Sequence, residues 1–420
     1  MSGQSPEDQH QEWAGEYDPL ADEAERKVLF SVLDSFKNYR KTAHHNVTHS
    51  RRQAFYALPS SHWQMLAEPP FSILDTLSKV DDAIDANADI AELILENGLS
   101  SFCLPASPPQ GSPLDWRGTA SASDISKAHS TLRQFFRDWS EEGYREREVC
   151  YGPVINDLRD AFGEKPPSGT RVLVPGAGLG RLVFELCLAG YDTEGNEVSY
   201  HQLVASSWIL NHTHHAKEYP LYPFASQFSN IKSREQQLRK VMIPDVHPAS
   251  ELTKRSSLED DSQTESSVGS MSMSAADFLL IYGGEDSKDS FDVVATVFFI
   301  DTAPNIIRYI STISNCLRPG GLWINVGPLL WHSSDSLSAG TDEETSNSHS
   351  NYDDKDDKGI GEPGRIELSE EELFILITKM GFTINKKDDF AQECGYIQDP
   401  ESMLQNLYRP SHWIAVKNST

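Results

Sequence analysis

Three glycines at alternate positions join an apolar, strand-like segment to an apolar, helix-like one. The run is Val172-Leu-Val-Pro-Gly-Ala-Gly-Leu-Gly-Arg181, and Leu182-Val-Phe-Glu-Leu-Cys-Leu-Ala189 follows at once. A strand, a tight glycine turn and a helix form the unit that brings backbone close to a nucleotide-like ligand. The spacing is GxGxG rather than GxGxxG, so the dinucleotide fingerprint is not met and an NAD-dependent oxidoreductase is disfavoured. Two readings remain at this point: a different small nucleotide-like ligand against Gly176 and Gly178, or a structural turn.

The chain after Thr170 fits the same unit repeated. Strands are predicted at 171–175, 190–197, 291–299, 321–326, 382–387 and 412–416, and helices at 181–189, 199–212, 305–317 and 369–380. Alternation of this kind gives an α/β fold, a Rossmann-like, parallel-rich sheet covered on both faces. Residues 1–20 are polar and read as a disordered tail. Residues 21–165 read as an N-terminal helical region, with Val28, Leu29, Val32, Leu33 and Phe36 on one helix face. Within it, 104–120 is rich in Pro, Gly and Ser and reads as a linker, and an amphipathic stretch runs from about Ser123 to Tyr151. Residues 166–420 form the sheet domain, interrupted by Ser-rich and acidic inserts at about 253–274 and 333–364 that read as disordered loops.

Charge narrows the partners. The net charge is −27, from 36 basic and 63 acidic residues, which argues against nucleic acid as the main partner because phosphate binding needs a basic footprint. The five cysteines are widely spaced with no CxxC pair, so neither a zinc site nor a disulfide framework is supported. His44-His45 and Asn211-His-Thr-His-His215 read as solvated residues, and no metal is expected. No apolar run is long enough to span a membrane or act as a signal peptide. A cytoplasmic and/or nuclear location is therefore expected, and the apolar N-terminal helices offer a surface for a homodimer.

Three further elements bear on the ligand. Glu197 ends the second strand about twenty residues after the loop, where a carboxylate can accept from both hydroxyls of a ribose. Asp277-Phe278 pairs an acceptor for an exocyclic amine with a ring to cover a base, although Asp is also a common cap residue. Asp301, beyond Val297-Phe-Phe-Ile300, stands at the carboxyl end of a central strand. Such strand ends face the ligand in open α/β sheets, and an N-cap role is the alternative.

Taken in order, these elements resemble class I S-adenosylmethionine-dependent methyltransferases. Gln134-Phe-Phe-Arg-Asp-Trp-Ser140, the glycine run, Gly195-Asn-Glu197 and Phe224-Ala-Ser-Gln-Phe228 resemble the carnosine N-methyltransferase family. So do Phe298-Phe-Ile-Asp-Thr-Ala303, Pro319-Gly-Gly-Leu-Trp-Ile-Asn-Val-Gly-Pro-Leu-Leu330 and Trp331-His332. The resemblance covers about 20–418 apart from the inserts. It implies methyl transfer from S-adenosyl-L-methionine to the imidazole of carnosine, giving anserine. It further implies that Gln134 and Arg137 reach the cofactor, with the Arg137 fork on its carboxylate. Gly176, Glu197, Asp277 and Phe278 take their places as above, and Val297 is a wall. Asp301, His332 and Tyr408 would bind the dipeptide, Asp301 holding either the second ring N–H or the substrate ammonium. Two alternatives stand beside this reading: a protein or peptide histidine methyltransferase, and a non-catalytic scaffold of the same fold.

Overall fold

The computed structural model describes residues 19–257, 268–331, 359–361, 364–388 and 392–419. They divide into two compact units. One comprises residues up to Arg133 with Pro220–Phe228 and Gln237–Lys240, and the other holds Gln134–Tyr219, Ser229–Gln236 and the chain from Val241 onward. The dividing point thus falls at Gln134, about thirty residues before the expected boundary near 165.

The first unit is helical: α1 (Glu23–Ala43), α2 (Ser50–Tyr56), α3 (Ser60–Ala67) and α4 (Ile73–Ser101). Asp22 caps α1 by accepting from the Ala24 and Glu25 N–H groups at 2.7 and 3.1 Å. Helices α1 and α4 pack together, burying Leu29, Leu33 and Phe36 of one and Val80, Ile84 and Ala91 of the other. Val28, expected on that face, is 51% exposed. His44 is half-buried and paired: it lies between Asp81 and Asp85 at 2.8 and 2.9 Å. Burial works against its charge, and the two carboxylates outweigh it and raise its pKa. The 104–120 segment has a linker's composition but not a linker's freedom. Trp116 is buried and its indole N–H donates to Pro105 O at 3.0 Å.

The amphipathic stretch is two helices, α5 (Ala122–Trp139) and α6 (Tyr144–Phe162). They part at Gly143, where a Cβ would collide with the Phe136 and Arg137 carbonyls. From Gln134 onward the second unit alternates strand and helix: β1 (Arg171–Pro175), α7 (Arg181–Leu188), β2 (Asp192–Glu197), α8 (Tyr200–Asn211), α9 (Pro248–Ser257), β3 (Met271–Ala275), α10 (Phe278–Tyr282) and β4 (Phe291–Val297). Then come α11 (Ile306–Cys316), β5 (Leu317–Gly327), α12 (Glu370–Lys379), β6 (Phe382–Asp388) and β7 (Ser411–Lys417). The sheet order is β3-β2-β1-β4-β5-β7-β6. The first five strands are parallel, and β7 runs antiparallel between β5 and β6.

Alternation along the strands sorts side chains to two faces. Leu173, Val294, Trp323 and Trp413 meet α10, α11 and α12, while Val172, Val174, Val293 and Ile324 meet α6 and α7. Each fully buried aliphatic side chain contributes roughly 1.5–3 kcal/mol. A one-residue slip would therefore forfeit several such terms at once, and the register is firmly set.

Of the two expected inserts, 258–267 of the first and 333–358 of the second lie outside the described residues. β3 overlaps the end of the span assigned to the first insert and pairs with β2, Glu197 opposite Ala275. Its Ser content hid a period-two strand whose Met271 and Met273 pack on the core. At the far end of the second insert, Gly359–Gly361 forms a helical turn. Among the described residues, no helix is long and apolar enough to cross a membrane.

Candidate active site

Because β1 to β5 are parallel, their carboxyl ends share one sheet edge. The chain leaves β1 toward β2 on one side and enters β4 on the other, so a crevice opens between β1 and β4, where ligands of open α/β sheets bind. A cavity of about 340 Å³ lies there, within the ~300–1,000 Å³ range that takes a nucleoside-sized ligand. Gln134, Arg137, Gly176, Gly178, Glu197, Asp277, Phe278 and Val297 all line it.

The glycine loop forms its floor. Gly176 and Gly178 have φ of 70° and 56°, a region costly for any residue with a Cβ. A Cβ on Gly176 would sit 2.7 Å from the Phe299 ring, and one on Gly178 3.1 Å from Gln134 Nε2. The Trp139 indole N–H donates to Leu179 O at 3.0 Å, tying the end of α5 to the loop.

Glu197, the last residue of β2, is buried. Its Oε2 accepts from Gly178 N–H at 3.0 Å, and Oε1 from Val198 and Ser199 N–H at 2.9 and 2.8 Å. Burial raises its pKa, with the three backbone donors acting the other way. A carboxylate can accept about four hydrogen bonds, so capacity remains on Oε2 for a hydroxyl donor.

Arg137 departs from expectation. Its fork is taken by the neighbouring Asp138, Nε to Oδ1 at 2.7 Å and Nη2 to Oδ2 at 3.0 Å. Nη1 has no partner among the described residues, so one arm rather than the fork remains for an anion. Asp138 also accepts from Tyr151 Oη at 2.8 Å, and Gln134 Oε1 accepts from Gln202 Nε2 at 2.7 Å. Tyr396 covers the Arg137 guanidinium at 5.1 Å and lines the cavity. Asp138, Tyr151, Gln202 and Tyr396 escaped the reading of the sequence. The adjacency Arg137-Asp138 was the one available signal, since the other three meet the site only through folding.

Asp277 takes the cap role, and both of its carboxylate oxygens accept from backbone. Its Oδ1 caps α10 by accepting from Leu279 N–H at 2.8 Å, and Oδ2 accepts from Ile360 N–H at 2.7 Å. Phe278 stands edge-on to Phe299 and Tyr309, with ring centroids 5.4 and 5.5 Å away.

The β4 end is strained. Phe298 has φ of 51°, a conformation that costs a bulky residue about 1–3 kcal/mol and clusters at functional sites. Its N–H donates to Val326 O at 2.9 Å, and its ring meets Tyr396 and Tyr408 at 5.2 and 5.9 Å. Asp301 lies on the following turn, Ile300–Thr302, and is buried. It does not line the cavity; its Oδ2 accepts from Leu330 N–H at 2.9 Å. Tyr408 is half-buried and pairs its backbone with Cys394. Neither it nor Asp301 is brought into the cavity wall, and His332 lies outside the described residues.

A family model described as carnosine N-methyltransferase matches residues 114–419. The carnosine N-methyltransferase of Schizosaccharomyces pombe is 38% identical over 398 residues, which covers 94% of this chain and 96% of that relative. The mouse enzyme of the same name is 38% identical, covering 73% of this chain and 72% of its own length. The chain belongs to the carnosine N-methyltransferase family. The methyl donor of carnosine N-methyltransferases is S-adenosylmethionine, and the residues at the cavity fit it. Gly176 and Gly178 leave a floor without Cβ atoms, Glu197 keeps an acceptor for a diol, Phe278 presents a ring, and Arg137 keeps one cationic arm for a carboxylate.

Proposed function

We infer that the protein methylates the imidazole of carnosine, giving anserine, or that of a closely related histidine-containing dipeptide. The observation that carries this is the convergence of eight residues from five separate segments on one strand-end cavity in a chain of this family. Gln134, Arg137, Gly176, Gly178, Glu197, Asp277, Phe278 and Val297 are assigned to the cofactor. Bound there, S-adenosylmethionine supplies an electrophilic methyl group whose departure leaves a neutral thioether. No residue is therefore needed as an acid toward the leaving group.

The protein's task is to hold a neutral imidazole in line and keep water out. An unperturbed imidazole has a pKa of about 6.5, so much of the substrate is already neutral at pH 7. We assign Asp301, His332 and Tyr408 to the dipeptide. Asp301 supports that side in two ways: it is a carboxylate two residues beyond Phe299, and it holds the backbone of Leu330, two residues before His332. Phe298 and Tyr396, packed on each other, supply an apolar wall between the two sides.

The test is transfer of labelled methyl groups to carnosine and to histidine peptides of increasing length. The dipeptide is expected to be the better acceptor by a wide margin. Labelling of longer peptides or proteins with none of carnosine would replace this reading with protein histidine methylation.

A further inference from the structure

The fold brings together two cysteines that lie 244 residues apart in the chain. Cys150, on α6, and Cys394, in the segment bonded to Tyr408, have their sulfurs 3.9 Å apart. Both are buried, and Cys150 lines the cavity. The other cysteines are differently placed: the Cys187 and Cys316 thiols donate to the Gly269 and Ile313 carbonyls at 3.1 and 3.5 Å, and Cys103 is exposed. We propose that Cys150 and Cys394 form a peroxide-sensitive dithiol whose oxidation to a disulfide shuts off methyl transfer. The proposal rests on the reading of the cavity as the cofactor site.

The pair is arranged for the chemistry. A hydrogen bond between the thiols lowers the pKa of Cys394, against the effect of burial, and raises that of Cys150. Cys394 is thus the member of the pair that gives up its proton more readily, and it attacks hydrogen peroxide as the thiolate once it has done so. Its S–O bond forms as the O–O bond breaks, and the departing hydroxide takes a proton to become water. Cys150 sulfur then attacks the Cys394 sulfenic acid. The S–S bond forms, the S–O bond breaks, and the hydroxyl leaves as a second water with the Cys150 proton. The two thiols lose two electrons, and one peroxide is reduced.

The consequence follows from what each sulfur is attached to. A disulfide needs the sulfurs at about 2.05 Å, so Cys394 must move toward α6. Cys394 exchanges backbone hydrogen bonds with Tyr408 at 3.0 and 2.8 Å. Two residues on, Tyr396 packs on Phe298 and covers Arg137. All three of these side chains line the cavity, so the closure displaces its wall. Peroxide enters through the same cavity, where Cys150 is in the wall and the Cys394 sulfur lies 3.9 Å behind it, and a ligand bound there shields the pair.

The experiment is hydrogen peroxide treatment of the reduced full-length protein, with peptide mapping by mass spectrometry and turnover measured in parallel. The expected result is a peptide linked through Cys150 and Cys394, loss of turnover, and recovery of both on adding dithiothreitol. S-adenosylhomocysteine, added first, slows the linkage. Cys394→Ser, or Cys394→Ala should the first fold poorly, keeps its turnover in peroxide. Separate oxidation of the two thiols without linkage, linkage with undiminished turnover, or loss of turnover in the Cys394 variants at the wild-type rate would each overturn the proposal. Calorimetry of S-adenosylhomocysteine on the reduced protein tests the cofactor reading by itself. Absent binding with reversible linkage would fault that reading and leave the dithiol standing.

Discussion

The two sides of the crevice are built by different means. On the β1–β2 side the ligand surface is backbone: a glycine loop in the left-handed region, and a carboxylate locked by the N–H groups of Gly178, Val198 and Ser199. On the β4–β5 side it is the side chains of a strained Phe298 and of Tyr396 from a distant segment, backed outside the cavity wall by Tyr408 on Phe298 and by Asp301 holding Leu330. The first kind of surface is fixed as soon as the strands pair. The second forms only when 328–331 and 392–410 dock, and it is the half to which we assign the dipeptide.

The largest effect is expected from Asp301→Ala, which removes a buried charged acceptor. Turnover should fall by roughly 100-fold, or ~3 kcal/mol, while cofactor affinity stays within about twofold. Calorimetry showing cofactor affinity lost together with turnover would mean the two sides are not separable. Gly176→Ala tests the opposite side. A Cβ in the left-handed region, pressed on Phe299, should weaken cofactor binding by roughly 30-fold, or ~2 kcal/mol. Unchanged affinity would refute the role given to the loop.

Glu197→Gln sharpens the comparison through pH. Burial raises the Glu197 pKa from its ordinary value, and the ionised form is the one that accepts from the ribose. Cofactor affinity of the wild type should therefore fall as pH drops toward that raised pKa. The variant should bind roughly tenfold more weakly at neutral pH, or ~1.4 kcal/mol, and lose the pH dependence. An acid limb that persists in the variant would point to another group. The smallest effect belongs to Tyr408→Phe, which removes one hydroxyl: about a threefold rise in KM for carnosine, or ~0.7 kcal/mol, with the cofactor KM unmoved. A cofactor KM that rises instead would place Tyr408 on the other side.

What the sequence made legible follows the same division. The strand Arg171–Pro175, its glycine turn and the carboxylate at Glu197 are local patterns, and the structure has the strand at those bounds. The β3 strand was hidden because Met271-Ser-Met-Ser-Ala275 has the composition of a loop and the periodicity of an edge strand. The occupied fork of Arg137 depends on Asp138 turning toward its neighbour, which no spacing rule conveys. Tyr396 is 259 positions from Arg137 in the chain, and only the docking of its loop puts the ring over the guanidinium. The burial of Asp301 away from the cavity wall belongs to the same class: the strand-end rule locates the residue but not the direction of its carboxylate.

The central claim is that the crevice delivers a methyl group to an imidazole nitrogen of carnosine. The most direct measurement is the fragment mass spectrum of carnosine after incubation with the protein and trideuteromethyl-labelled S-adenosylmethionine. One labelled methyl group, carried by the imidazole fragment, is the expected result. A carnosine that stays unlabelled, or that carries the label on the β-alanyl amine, would contradict it.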